Sequence, residues 1–122
     1  MKIDIQARDF SLTQALRRHV ERRLGFALST RYDRIKRIRV YLSDLNGPRG
    51  GTDKCCQVHI AMPGKADVFV VDTQVDLYVA IDRAADRAGR AVSRRLERFR
   101  RRQRNGSGAS ARSLTLAYEQ SF

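Results

Sequence analysis

Residues 54–72 read Lys54-Cys55-Cys56-Gln57-Val58-His59-Ile60-Ala61-Met62-Pro63-Gly64-Lys65-Ala66-Asp67-Val68-Phe69-Val70-Val71-Asp72, and directly after them the period of the sequence changes. Cys56, Val58, Ile60 and Met62 alternate with Cys55, Gln57, His59 and Ala61, the period-two pattern of a strand with one buried face. Pro63-Gly64 is a turn dipeptide, so residues 67–72 return as an antiparallel neighbour. Behind them Tyr78, Ile81, Ala85, Ala88, Val92, Leu96 and Phe99 step by three or four, which marks a helical face. Thr73 and Asp76 fit the capping signature Ser/Thr-x-x-Asp/Glu, and the helix is predicted to run to about Arg102. A hairpin followed at once by a long amphipathic helix is half of a two-layer α+β domain.

The other half lies upstream. Residues 2–7 alternate with Ile3, Ile5 and Ala7 on one side, and residues 36–44 with Ile38, Val40 and Leu42. Between them Leu12, Leu16, Val20, Leu24 and Leu28 recur every four residues, a helix whose start is offered by a Ser11–Gln14 capping box or by Thr13 as N-cap. The order is βαβββα: a four-stranded sheet with both helices on one face, the first two strands parallel across the helical crossover and the last three an antiparallel meander. The Gly-rich stretch 46–51 is read as a hairpin loop, with Arg49 an extra phosphate contact. Residues 1–104 make one domain. Residues 105–122 open with Asn105-Gly106-Ser107-Gly108, too poor in apolar side chains to fold, and form a flexible tail whose end, Leu114, Leu116 and Tyr118, alternates like a strand in search of a partner.

The chain has 122 residues, 42% of them hydrophobic, which fits one packed core and leaves little room for an enzyme with a deep cleft. Twenty-five Lys and Arg against 13 Asp and Glu give a formal net charge of +12, a surplus that repels itself unless a polyanion neutralises it. No run reaches the roughly 18 apolar residues of a membrane span. Met1-Lys2-Ile3-Asp4-Ile5 has no signal-peptide core, so the expected compartment is the cytoplasm, with reduced thiols.

The charge is concentrated. Residues 74–104 hold ten basic and four acidic side chains, a net +6 that no other segment matches. At about 100° per residue, Arg83, Arg87, Arg90, Arg94, Arg98 and Arg101 fall in a sector about 80° wide, opposite Val92. A solvated helix face usually mixes signs in i,i+4 pairs. Here Asp82 and Asp86 sit in the early turns, where they suit the helix dipole, and Arg94, Arg95, Arg98, Arg100, Arg101, Arg102 and Arg104 are opposed by Glu97 alone. Arginine is used in place of lysine almost throughout, and its planar fork suits phosphates and base stacking. Arg17, Arg22 and Arg23 on the first helix add to the candidate RNA-binding set, with Arg23 near enough to the apolar stripe to snorkel along it.

Catalytic and metal chemistry do not fit the spacing. His19 lies at the edge of the first helix's buried stripe and His59 on a strand face with Cys55 and Gln57, so nothing makes them an acid–base pair for RNA cleavage. Cys55 and Cys56 point to opposite faces of a strand, which excludes a mutual disulfide and a zinc site with His59, and they read as packing residues. Gly47-Pro48-Arg49-Gly50-Gly51 lacks the spacing of a phosphate loop. No enzyme, metal or cofactor is expected.

Three stretches resemble a known family. Thr13-Gln14-Ala15-Leu16-Arg17 with Val20, then Tyr32-Asp33-Arg34-Ile35, then Asp76-Leu77-Tyr78-Val79-Ala80-Ile81-Asp82, close to a D-M-Y-A-A-I-D pattern, are similar to segments of the ribosome hibernation promoting factors, also called ribosome-associated inhibitor or sigma-modulation proteins. The likeness covers about residues 1–102. It implies a βαβββα fold similar to double-stranded RNA-binding domains, binding to the small ribosomal subunit at the decoding region, and a block of messenger and transfer RNA. By that resemblance Arg17, Arg23, Arg87, Arg90, Arg94 and Arg98 contact the ribosomal RNA backbone.

The chain departs from the family at Phe26, where a basic residue is expected, and at Val68-Phe69-Val70-Val71, apolar on both faces, which suggests a covered sheet or a weak homodimer through a sheet edge or the tail. Pairing through the dimerisation domain of long family members is not expected. Two other readings remain open at this point: a reader of structured or double-stranded RNA in general, and a protein-interaction regulator of transcription.

Overall fold

The computed structural model of the chain describes residues 3–8, 10–44 and 53–104. The loop with Arg49, the 105–122 tail and the side chain of Phe99, counted above with the second helix's apolar face, lie outside them. The elements are β1 (Ile3–Arg8), α1 (Gln14–Leu28), a 3₁₀ turn (Ser29–Arg34), β2 (Arg37–Asp44), β3 (Lys54–Ala61), β4 (Val68–Gln74) and α2 (Leu77–Arg104). The strands lie in the order β1-β2-β3-β4, with β1 parallel to β2 and the other neighbours antiparallel. The expected α+β sandwich is the fold.

Alternation sets the register. Ile5, Val40, Val58 and Val70 align across the four strands, and each is buried on the helix side. Leu16, Val20, Leu24 and Leu28 of α1 and Ala80, Ile81, Ala84, Ala85, Ala88 and Val92 of α2 complete the same core. Tyr78 departs from the expected apolar face of α2: it is 39% exposed and meets His19 of α1 edge-on, ring centres 4.8 Å apart. The opposite sheet face carries the alternate residues, among them Tyr41, Phe69 and Val71, all exposed. β4 is an edge strand, and Phe69 packs edge-on against His59 of β3 at 6.1 Å.

Both helix starts shift within the expected signals. At α1 the Thr13 hydroxyl accepts from Leu16 N–H at 3.1 Å, so Thr13 is the N-cap and the Ser11–Gln14 box is not used. At α2 the strand runs on through Thr73, which pairs with Cys55, and this removes it from the cap. Asp76 takes over: its carboxylate accepts from Tyr78 N–H at 2.9 Å and its carbonyl from Ala80 N–H at 3.1 Å. The two helices touch closely at Gly89, where a Cβ would stand 2.8 Å from the Ala27 carbonyl oxygen, so only glycine lets them approach this far.

Cys55 and Cys56 are free and buried. Burial, with smaller effects of Cys55 and Asp72, pushes the Cys56 thiol up from 9.0 to about 12. Lys54 is also raised, by hydrogen bonds to Asp44 and Asp53. Above pH 9 the unfolded chain releases the Cys56 proton while the folded chain keeps it, so stability is full below that pH and is lost as pH rises towards 12. Urea unfolding is expected to show stability falling by up to about 1.4 kcal/mol per pH unit from this thiol. A Cys56→Ala variant, whose overall stability is lower, should show a shallower alkaline fall; an equal slope refutes the assignment.

Candidate nucleic-acid interface

α1 and α2 lie side by side, and the seam between them sorts the charges. Asp82 accepts from His19 Nε2 at 2.7 Å and forms an ion pair with Arg23 at 3.1 Å from Nε, which is buried and misaligned for a hydrogen bond, while Asp86 accepts from Arg23 Nη2 at 3.0 Å. The two aspartates assigned above to the helix dipole therefore serve the helix–helix contact, and they neutralise Arg23. That pairing depends on the register between two helices, which periodicity along either one does not contain.

The arginines of α2 form two groups. Arg83, Arg90 and Arg94 are exposed and have no acidic partner among the described residues. Arg101 reaches Glu97 only at 3.7 Å, between two exposed side chains, a pair worth little in water. Arg98 is partly buried, with Nη1 screened from solvent and without an acceptor among the described residues. Arg87 and Arg95, by contrast, hold the sheet. Arg87 Nη1 donates to the Val71 carbonyl at 2.7 Å and lies 3.3 Å from Asp72 Oδ2. Arg95 Nε and Nη2 donate to the carbonyls of Ala66 and Asp67, each at 3.0 Å. Burial, then the charges of Arg98 and Arg94, lower the Arg95 pKa from its ordinary value.

On α1, Arg17 and Arg22 are exposed. Phe26, one turn beyond Arg22, is 79% exposed and faces a groove shared with α2. A second basic feature lies on the open sheet face, where Lys36, Arg37, Arg39, Ala61, His59 and Asp67 line a hollow of about 210 Å³ and His59 Nε2 meets Asp67 Oδ2 at 2.9 Å. Sequence reasoning passed over it, although alternation in β2 already puts Arg37 and Arg39 opposite the core. The two histidines thus have separate partners, Asp82 and Asp67.

A fold of this kind, with a basic helix layer over a half-bare sheet, has a match among family models. Residues 3–100 match the family described as sigma 54 modulation protein / S30EA ribosomal protein. The chain belongs to that family. Membership makes it a ribosome-associated protein. Among solved structures, the Thermus thermophilus Protein Y N-terminal domain is 32% identical, covering 75% of this chain and 93% of that one with a TM-score of 0.59. A ribosomal subunit interface protein from Coxiella burnetii gives a TM-score of 0.66 over 77% of this chain and 96% of that one, and at 19% identity speaks for the fold alone. No curated protein matches the chain. No helix among the described residues is long and apolar enough to cross a bilayer.

Proposed function

We propose that the chain binds the small ribosomal subunit through ribosomal RNA near the decoding region and so represses translation. The observation that carries this is the line of Arg83, Arg90 and Arg94 on α2, exposed and without acidic partners among the described residues, extended by Arg98 and Arg101. Such a row repels itself in the free protein and becomes favourable against phosphates. Arg17 and Arg22 extend the positive surface onto α1. Arg23, Arg87 and Arg95 contribute potential while their hydrogen bonds serve the fold. Family membership supports the ribosome as the place where this surface is used.

Co-sedimentation tests the reading. The chain is expected to pellet stoichiometrically with purified small subunits, to resist competition by generic duplex RNA, and to inhibit a cell-free translation reaction at matching concentrations. Its affinity should fall by about tenfold or more between about 50 and 200 mM salt, as released counterions require. A flat salt dependence excludes the phosphate contacts. Equal partition onto any duplex RNA replaces the ribosome-specific reading by the general one.

A further inference from the structure

The arginine row borders a groove of about 480 Å³ between α1 and α2, lined by Phe26, Ala27, Asp86, Gly89, Arg90, Ser93 and Arg94. That volume lies within the roughly 300–1,000 Å³ of clefts that take small ligands. Its floor is the close contact of the helices at Gly89 and Ala27, and its one aromatic wall is Phe26, 79% exposed. A single exposed apolar side chain needs no explanation by itself. The setting of this one does. Arg90 and Arg94 stand across the groove from it and Arg22 stands one turn before it on α1, all three exposed and without acidic partners among the described residues. The acid present, Asp86, is engaged by Arg23 at 3.0 Å.

An apolar protein surface gains nothing from two unneutralised cations in its wall and a third one turn away on α1, whereas a nucleotide matches both halves of the site: its base offers a flat π-face and its phosphates the charge. Single-stranded nucleic acid is held in this way in general, by aromatic rings for the bases and a basic track for the backbone. Resting on the RNA-binding reading above, we propose that Phe26 is a stacking site for one unpaired nucleobase of ribosomal RNA, with Arg90 and Arg94 on one side and Arg22 on the other taking the flanking phosphates. Ser93 lines the same groove, so its hydroxyl is available to the base edge or ribose.

The test compares the full-length chain with Phe26→Ala, Phe26→Leu and Phe26→Trp in binding to purified small subunits at one fixed salt concentration, and then across a salt series. Stacking predicts that Ala and Leu weaken binding by roughly ten- to a hundredfold, that Trp keeps it near wild type, and that none of the three alters the salt slope, because no counterion release is lost. Phe26 is exposed, so thermal unfolding should be unchanged in all three. Chemical probing of the bound subunit should show one unpaired base protected by the wild-type chain and reopened with Phe26→Ala. Wild-type affinity of Phe26→Leu would point to an apolar protein contact and overturn the proposal. So would full affinity of Phe26→Ala, or the absence of a protected base. The combined substitution R90Q/R94Q/R98Q separates the two levels: if it abolishes binding while Phe26→Ala does not weaken it, RNA binding stands and the stack falls, whereas if it has no effect the RNA reading itself fails.

Discussion

Replacing Arg90, Arg94 and Arg98 together by glutamine is expected to weaken association with small subunits by a hundredfold or more, at about 1 to 1.5 kcal/mol for each charge-assisted contact. The salt slope should flatten by about one unit per lost phosphate contact. Stability should hardly change, because none of the three has an ion pair among the described residues that the substitution would break, and Arg98 Nη1 loses only an unsatisfied environment. Replacing Arg95 by glutamine would not be an equivalent experiment, since it also cuts two hydrogen bonds to the sheet. Filter binding across a salt series, with circular dichroism melts of the same samples, checks all three statements. A triple variant that binds normally would overturn the RNA-binding reading that rests on this row.

The second large effect is on folding. Ile81 is 1% exposed and belongs to the common core of sheet and helices, so Ile81→Ala should cost about 2 to 5 kcal/mol. Against a total of roughly 5 to 15 kcal/mol for a domain of this size that is a large share, and the midpoint of thermal unfolding should drop by about 10 °C or more. Arg94→Ala, on the opposite side of the same helix, should leave the midpoint nearly unchanged. The reverse ranking would mean that the two faces of α2 are exchanged.

Both predictions were readable in outline from the amino-acid order, because each element buries one face and the period of that face tells strand from helix. Ile38, Val40 and Leu42 could be placed inward from alternation, and Ile81, Ala85, Ala88 and Val92 from the helical step; all are buried. Periodicity failed where two signals overlapped. Thr73 belongs to both a capping motif and a strand, and the ladder with Cys55 prevails because a strand bond is gained there while Asp76 can cap equally well. Tyr78 sits at a core angle but in the first turn, where it meets His19 of α1 edge-on and stays 39% exposed.

The interface was legible as a row of arginines and not as a site. Distances along one helix give the row, but the roles within it depend on what stands opposite in space. Asp82 and Asp86 turn towards α1, Arg95 turns towards the β3–β4 turn, and the Phe26 groove exists because Gly89 lets Ala27 approach. None of these partners lies within a turn of the residue concerned, so no local pattern could announce them.

The fork of Arg95 on two successive carbonyls bears on how such a surface can drift. Positions 90 and 94 have no acidic partner among the described residues, so an exchange of arginine for lysine there keeps the fold and the summed charge and gives up only the fork's grip on a phosphate. At position 95 an ammonium cannot reproduce two divergent N–H donors in one plane, and the exchange would loosen the start of β4. A row that looks uniform in one sequence is therefore held by two kinds of selection, one on charge and one on shape, and related chains should preserve the first as a sum and the second as an identity.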